Sequence, residues 1–188
     1  MYIRTPVVFY YHPCLDLNYS YTLTMNTKQF YLKTLQDELP RFERVLQALP
    51  NKKLGYRPHP RSKSAGEVAS MFANESGNWI ILLKTGEIDF TKVKPKRKNY
   101  LSSTSGVKDL RLNSKKVLAL VKKLSEKKWE TKAQMKMNGK VEWEAPLGVM
   151  LWVLLLDLIH HRGQLSVYLR PMGGKVPSIY GPSGDSNG

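Results

Sequence analysis

Asp157 and His161 stand four residues apart in the stretch Asp157-Leu-Ile-His-His-Arg-Gly-Gln164. On a helix, that spacing sets a carboxylate and an imidazole on one face, one turn apart. These are two of the ligands that a divalent transition metal takes. They are equally the makings of a buried, hydrogen-bonded Asp–His pair. A nearly unbroken apolar run from Leu147 to Leu156 precedes them and predicts a buried helix. A lone carboxylate in such surroundings needs a partner or a proton. A catalytic metal site takes about three protein ligands, so the pair alone is one short.

The elements that would position this pair are helices. Asn26 or Thr27 can cap a first helix, in which Phe30, Leu35, Leu39, Phe42, Val45, Leu46 and Leu49 recur at helical steps and Pro40 should introduce a kink. A Pro-rich connector follows, Pro50 to Pro60, in which His59 reads as a surface residue that orders the loop. The capping box Ser64-Ala-Gly-Glu67 opens a second helix that ends at Thr85-Gly86. Residues 87–112 read as a long polar connection. A third helix is expected from Asn113 or Ser114 to about Lys127, with Val117, Leu118, Val121 and Leu124 facing inward. Between Trp129 and Trp143 the period changes to two around Asn138-Gly139, a strong hairpin signal. The fourth helix opens near Pro146 and runs to about Met172, where Gly173-Gly174 stops it.

The chain therefore reads as all-α, a four-helix bundle with a small β-hairpin before the last helix. Residues 1–25 are expected to be an irregular extension, 26–172 the bundle, and 173–188 a Gly/Pro/Ser-rich tail. A length of 188 residues suits one domain with a sizeable core.

Bulk properties narrow the function. The single cysteine, Cys14, excludes an internal disulfide and a cysteine-rich zinc site. No segment reaches a membrane span and no secretory signal stands out, so a cytoplasmic location is expected. The net charge of +15 is concentrated: residues 92–140 hold sixteen Lys and Arg against three Asp and Glu. That segment can attract phosphates. No helix-turn-helix, zinc finger or RNA-binding aromatic motif accompanies it, so a solvated lysine face is the preferred reading over a nucleic-acid surface. Gly-x-Ser-x-Gly elbows and phosphate-binding glycine loops are missing too. Trp79, Trp143 and Trp152 read as packing residues.

His160-His-Arg-Gly-Gln-Leu165, the following Tyr168-Leu-Arg170 with Gly173 and Pro177, and the helix entry Tyr56-Arg-Pro-His-Pro-Arg-Ser-Lys-Ser-Ala-Gly-Glu67 together resemble the DinB-like (YfiT-like) superfamily of small metalloproteins. The likeness covers roughly residues 26–182. It implies a four-helix bundle, often dimeric, that holds a divalent metal with three histidines. One histidine lies on the second helix and two lie four apart on the last. Some members are thiol-dependent transferases or isomerases. This chain departs from that pattern twice: Met71 stands at the second-helix position and Asp157 at the first of the last-helix pair. A carboxylate can serve Zn, Ni, Mn or Fe, whereas a thioether suits mainly copper(I). Glu67 and Glu75, four residues either side of Met71, are the candidate substitutes, with Asn74 behind them.

Two functions follow. One is a metal-dependent, thiol-linked, transferase-like enzyme with a degenerate site of Asp157, His161 and Glu67 or Glu75, acting on a small-molecule substrate. The other is a non-catalytic bundle that has lost the metal and binds an anionic partner through residues 92–140. A homodimer is expected in either case.

Overall fold

The computed structural model describes residues 25–93 and 102–186. Cys14, His12 and nearly all of the expected N-terminal extension lie outside the described residues, as do Lys94, Lys96, Arg97 and Lys98. Among the described residues the protein is mostly helical, with five α-helices and a small three-stranded sheet.

Helix α1 spans Thr27–Gln47. Asn26 and Gln29 close a reciprocal capping box at its start, which satisfies two backbone donors that the first turn leaves free. The helix runs unbroken through Pro40. Its buried face is Tyr31, Leu35, Glu38, Phe42 and Val45, alternating steps of four and three. Helix α2, Ala65–Thr85, opens on the Ser64–Glu67 capping box and stops at Gly86, whose φ of 78° is comfortable only for glycine. Val68, Phe72, Trp79 and Leu82 are fully buried, each contributing roughly 1.5–3 kcal/mol relative to an exposed side chain.

Helix α3, Ser103–Lys123, begins about three turns before the sequence reading places it. Ser102 caps it, its Oγ accepting from the Ser105 amide at 3.3 Å. Composition hides this start, because Ser, Thr and Gly suggest a loop. The inward stripe is Val107, Leu110, Ser114, Val117 and Val121, and a buried serine in its middle masks the period. A separate short helix, α4, covers Glu126–Trp129.

Strand β1, Glu87–Asp89, is too short to show in the sequence. It pairs in parallel with β2, Lys132–Met137, which pairs antiparallel with β3, Lys140–Pro146. Asn138 and Gly139 turn the hairpin with φ of 53° and 78°. The Asp89 carboxylate accepts from the Gly139 and Thr91 amides, at 2.9 and 3.0 Å, and pins β1 to that turn.

Helix α5, Leu147–Leu169, crosses the core against α1 and α2. Trp129 lies on its first turn. A Cβ on Gly148 would stand 2.2 Å from the indole, so this close approach requires glycine. Residues 173–186 are packed against the helices: Arg41 and Arg44 donate to the Ile179 and Ser178 carbonyls at 3.1 and 3.0 Å, and Asp185 binds Arg170 at 3.0 Å.

Candidate functional site

The apolar period of α5 turns His161 inward and leaves Asp157 at the edge of the helix's solvent face. The His161 side chain is 11% exposed and that of Asp157 is 47%. Asp157 therefore corrects the sequence reading of a carboxylate buried in an apolar run. Helix α5 has one outward stripe, and Asp157 flanks it. The four-residue spacing does bring the pair together, with Asp157 Oδ2 at 3.3 Å from His161 Nε2. The other ring nitrogen, Nδ1, lies 3.2 Å from Gln164 Oε1. Both imidazole nitrogens thus face oxygen. A doubly protonated ring satisfies both contacts. A neutral ring protonated at Nε2 also donates to Asp157, and turning the Gln164 amide then lets its nitrogen donate to Nδ1.

Helix α2 supplies a second carboxylate. Glu75 is largely buried, and that burial pushes its pKa up. A hydrogen bond from Asn78 Nδ2, at 3.5 Å, opposes the shift, and the charge of nearby Asp157 adds to it. Met71, Asn74, Glu75 and Asn78 line a cavity of about 220 Å³ with Phe90 and Val93 beyond β1. Glu67 is placed elsewhere. Its carboxylate accepts from the Ser64 amide at 2.7 Å and meets Arg57 at 2.8 Å, and these contacts hold its pKa below the ordinary range. Eight residues, about 12 Å of helix, separate it from Glu75.

The donor set can be tested against a metal. Two donors on one tetrahedral ion with bonds of about 2.0–2.1 Å stand about 3.3–3.4 Å apart. The Asp157–His161 separation agrees with that. A third donor does not converge on them: among the described residues, no three His, Cys, Asp or Glu side chains group as a ligand set. Gln164 supports His161 as an orienting partner would, yet two ligands fall short of a resident metal centre.

Arg162, one residue on, points into the core and binds Glu38 of α1 through Nη1. Its Nη2 donates to the Tyr180 hydroxyl at 2.9 Å, and that hydroxyl donates to Glu38 Oε1 at 2.8 Å. Arg162 and Glu38 are 4% and 3% exposed. This network ties α1, α5 and the C-terminal segment together, leaves the buried Arg162 Nε without a hydrogen-bond partner, and carries no visible chemistry. His160 is exposed, its ring 5.2 Å from that of His161. Tyr168 is buried and donates to the Lys63 carbonyl at 3.3 Å. His59 is exposed and orders its loop by accepting from the Arg61 amide at 3.1 Å. The sequence reading missed Asn78, Phe90 and Val93 at the cavity. Asn78 does share a helix face with Glu75 three residues before it, which was the available signal.

A mostly helical protein with a polar cavity on its second helix and an Asp–His pair on its last is the class these features define. The chain belongs to the DinB family, whose sequence pattern matches residues 25–186. Its fold is similar to that of a DinB-like protein from Bacillus cereus, at 21% identity and a TM-score of 0.64, covering 80% of this chain and 95% of that one. A DinB-like protein from Bacillus subtilis is similar at 17% identity and a TM-score of 0.60, covering 77% and 92%. A mycothiol-dependent maleylpyruvate isomerase gives a TM-score of only 0.43 at 11% identity, covering 81% and 64%, which bears on neither fold nor chemistry. No curated protein sequence matches the chain. No described helix is long and apolar enough to cross a membrane.

Proposed function

We propose that this protein is a DinB-type four-helix bundle that binds a small molecule beside α2 and α5 and transfers protons there, holding a proton where the family's pattern holds a divalent metal. The observation that supports this reading is the pairing of His161, with an oxygen opposite each ring nitrogen, next to a carboxyl that burial favours in its neutral form. Glu75 is then a proton donor facing the cavity, and Asp157–His161 the group that accepts or returns a proton. A low-molecular-weight thiol is the natural ligand class under the family resemblance. Its S–H proton would pass to the Asp157–His161 pair in the form in which the ring carries a single proton, and the thiolate left behind is the nucleophile. Met71, Phe90 and Val93 give such a ligand apolar contact, and Asn74 and Asn78 give it polar contact.

The test is an NMR titration with glutathione as the probe thiol in the presence of a chelator. The reading expects shifts at Glu75, Asn78 and Phe90 that vanish in Glu75→Ala. Shifts that appear only after a divalent metal is added would contradict it.

A second reading has one observation in its favour. Lys108, Arg111 and Lys115 line an open groove of about 460 Å³ with Val107, Leu112 and one carboxylate, Asp109. An anionic partner fits that lining, although Arg111 already binds Glu43 at 2.6 Å. Salt-sensitive retention on heparin, lost in Lys108→Glu/Lys115→Glu, supports this reading. No retention in dilute buffer removes it.

A further inference from the structure

Fifteen carboxylates share this chain with thirty lysines and arginines. Most of the described ones meet such a cation, the buried Glu38 included. Glu75 differs. It is largely buried, and no lysine or arginine meets it among the described residues. It accepts a hydrogen bond from Asn78 Nδ2 at 3.5 Å, and the charge that acts on it is that of Asp157, also negative. Asp157 has His161 beside it, and again no lysine or arginine among the described residues. A carboxylate withdrawn from water needs a cation or a proton. Around Glu75 the described residues supply no cation, and the adjoining cavity leaves room for one to arrive.

That cavity, about 220 Å³, has space for roughly seven water-sized groups at about 30 Å³ each. It therefore takes a small molecule whole, or one end of a larger one. Its lining selects by charge. Met71, Phe90 and Val93 are apolar, Asn74, Glu75 and Asn78 are polar, and no lysine or arginine is among them. An anionic group would enter beside two carboxylates with no cation in the lining to meet it. An ammonium group would find the Glu75 carboxylate. It would also find Asn78 Oδ1, left to accept because Nδ2 donates to Glu75. Phe90 adds a ring of the kind whose face attracts a cation.

We propose that this cavity is an ammonium-binding subsite, and that the thiol of the proposed function is a small aminothiol with its nitrogen against Glu75. The second half rests on the thiol reading; the first does not. Burial and the Asp157 charge both disfavour the Glu75 carboxylate in the empty site. The proton that Glu75 holds there leaves to solvent as the ammonium arrives, so one positive charge replaces another. The ammonium then takes over from Glu75 as the proton donor of the site.

The test is an NMR titration of the full chain, with a chelator present, using four small probes: cysteamine, 2-mercaptoethanol, mercaptoacetate and ethylamine. Cysteamine should shift Glu75, Asn78 and Phe90 with a Kd at least about tenfold below that of 2-mercaptoethanol. Mercaptoacetate should not bind. Glu75→Gln keeps the size of the side chain and removes its charge. It should bring cysteamine and 2-mercaptoethanol to the same affinity with an unchanged circular dichroism spectrum. Failure of the subsite and failure of the thiol reading look different. Ethylamine binding as tightly as cysteamine upholds the subsite and overturns the thiol reading. 2-Mercaptoethanol binding as tightly as cysteamine overturns the subsite and upholds the thiol reading. Binding of mercaptoacetate, a preference for cysteamine that survives in Glu75→Gln, or no shift with any probe also overturns the subsite.

Discussion

At the scale of single residues, Glu75 and Arg162 show two ways of keeping a charge near a core. Glu75 takes up a proton more readily folded than unfolded, because burial and then Asp157 disfavour its carboxylate. Such a group favours the folded state at low pH, and that contribution is lost as pH rises from about 4 through the raised folded value. Glu75→Gln should therefore raise the melting temperature at pH 7 and above and leave it nearly unchanged below pH about 4. Melting curves across that range check it, and an equal gain at every pH would count against the placement of Glu75. Arg162 instead is buried against the Glu38 carboxylate and the Tyr180 hydroxyl. Removing one partner strands a buried charge, so Glu38→Ala should destabilise by about 3–5 kcal/mol. The double variant Glu38→Leu/Arg162→Met should recover most of that loss in urea denaturation. If Glu38→Ala alone costs less than about 1 kcal/mol, Glu38 is not what holds Arg162 in the core.

Among the elements, the short helix α4 matters beyond its length, because Trp129 seats α5. Its ring packs on Gly148 and its Nε1 donates to Thr27 Oγ1 at 3.0 Å. Gly148→Ala should cost about 1–3 kcal/mol through overpacking, read by chemical denaturation, although alanine is the better helix former. A neutral outcome would show that the indole can shift freely. The sequence disclosed the caps of α1 and α2 and the Asn-Gly turn, because each depends on a few neighbouring residues. It concealed the true start of α3, where buried Ser114 breaks the apolar period, and β1, whose three residues become a strand only by pairing with β2 far along the chain. It also misplaced Asp157. An apolar run shows that a helix is there, but not that one stripe of it faces outward. Asp157 and His161 could be matched by spacing alone; Glu75 joins them only through the packing of α2 on α5. Glu38 could have been found, since it stands in line with Tyr31, Leu35, Phe42 and Val45.

For the whole molecule, thirteen of the fifteen net positive charges fall between residues 92 and 140, while α5 exposes no basic residue. The protein thus has one strongly cationic region and one neutral, apolar stripe, and the Asp157–His161 pair borders the stripe. The central claim is that this pair holds a proton in place of a metal. The most direct test is metal content and calorimetric titration with Zn, Ni, Mn and Fe(II) on protein purified without an affinity tag. The account predicts far less than one equivalent bound per chain and the same weak heats for wild type and Asp157→Ala. One equivalent of metal, lost in both Asp157→Ala and His161→Ala, would contradict it.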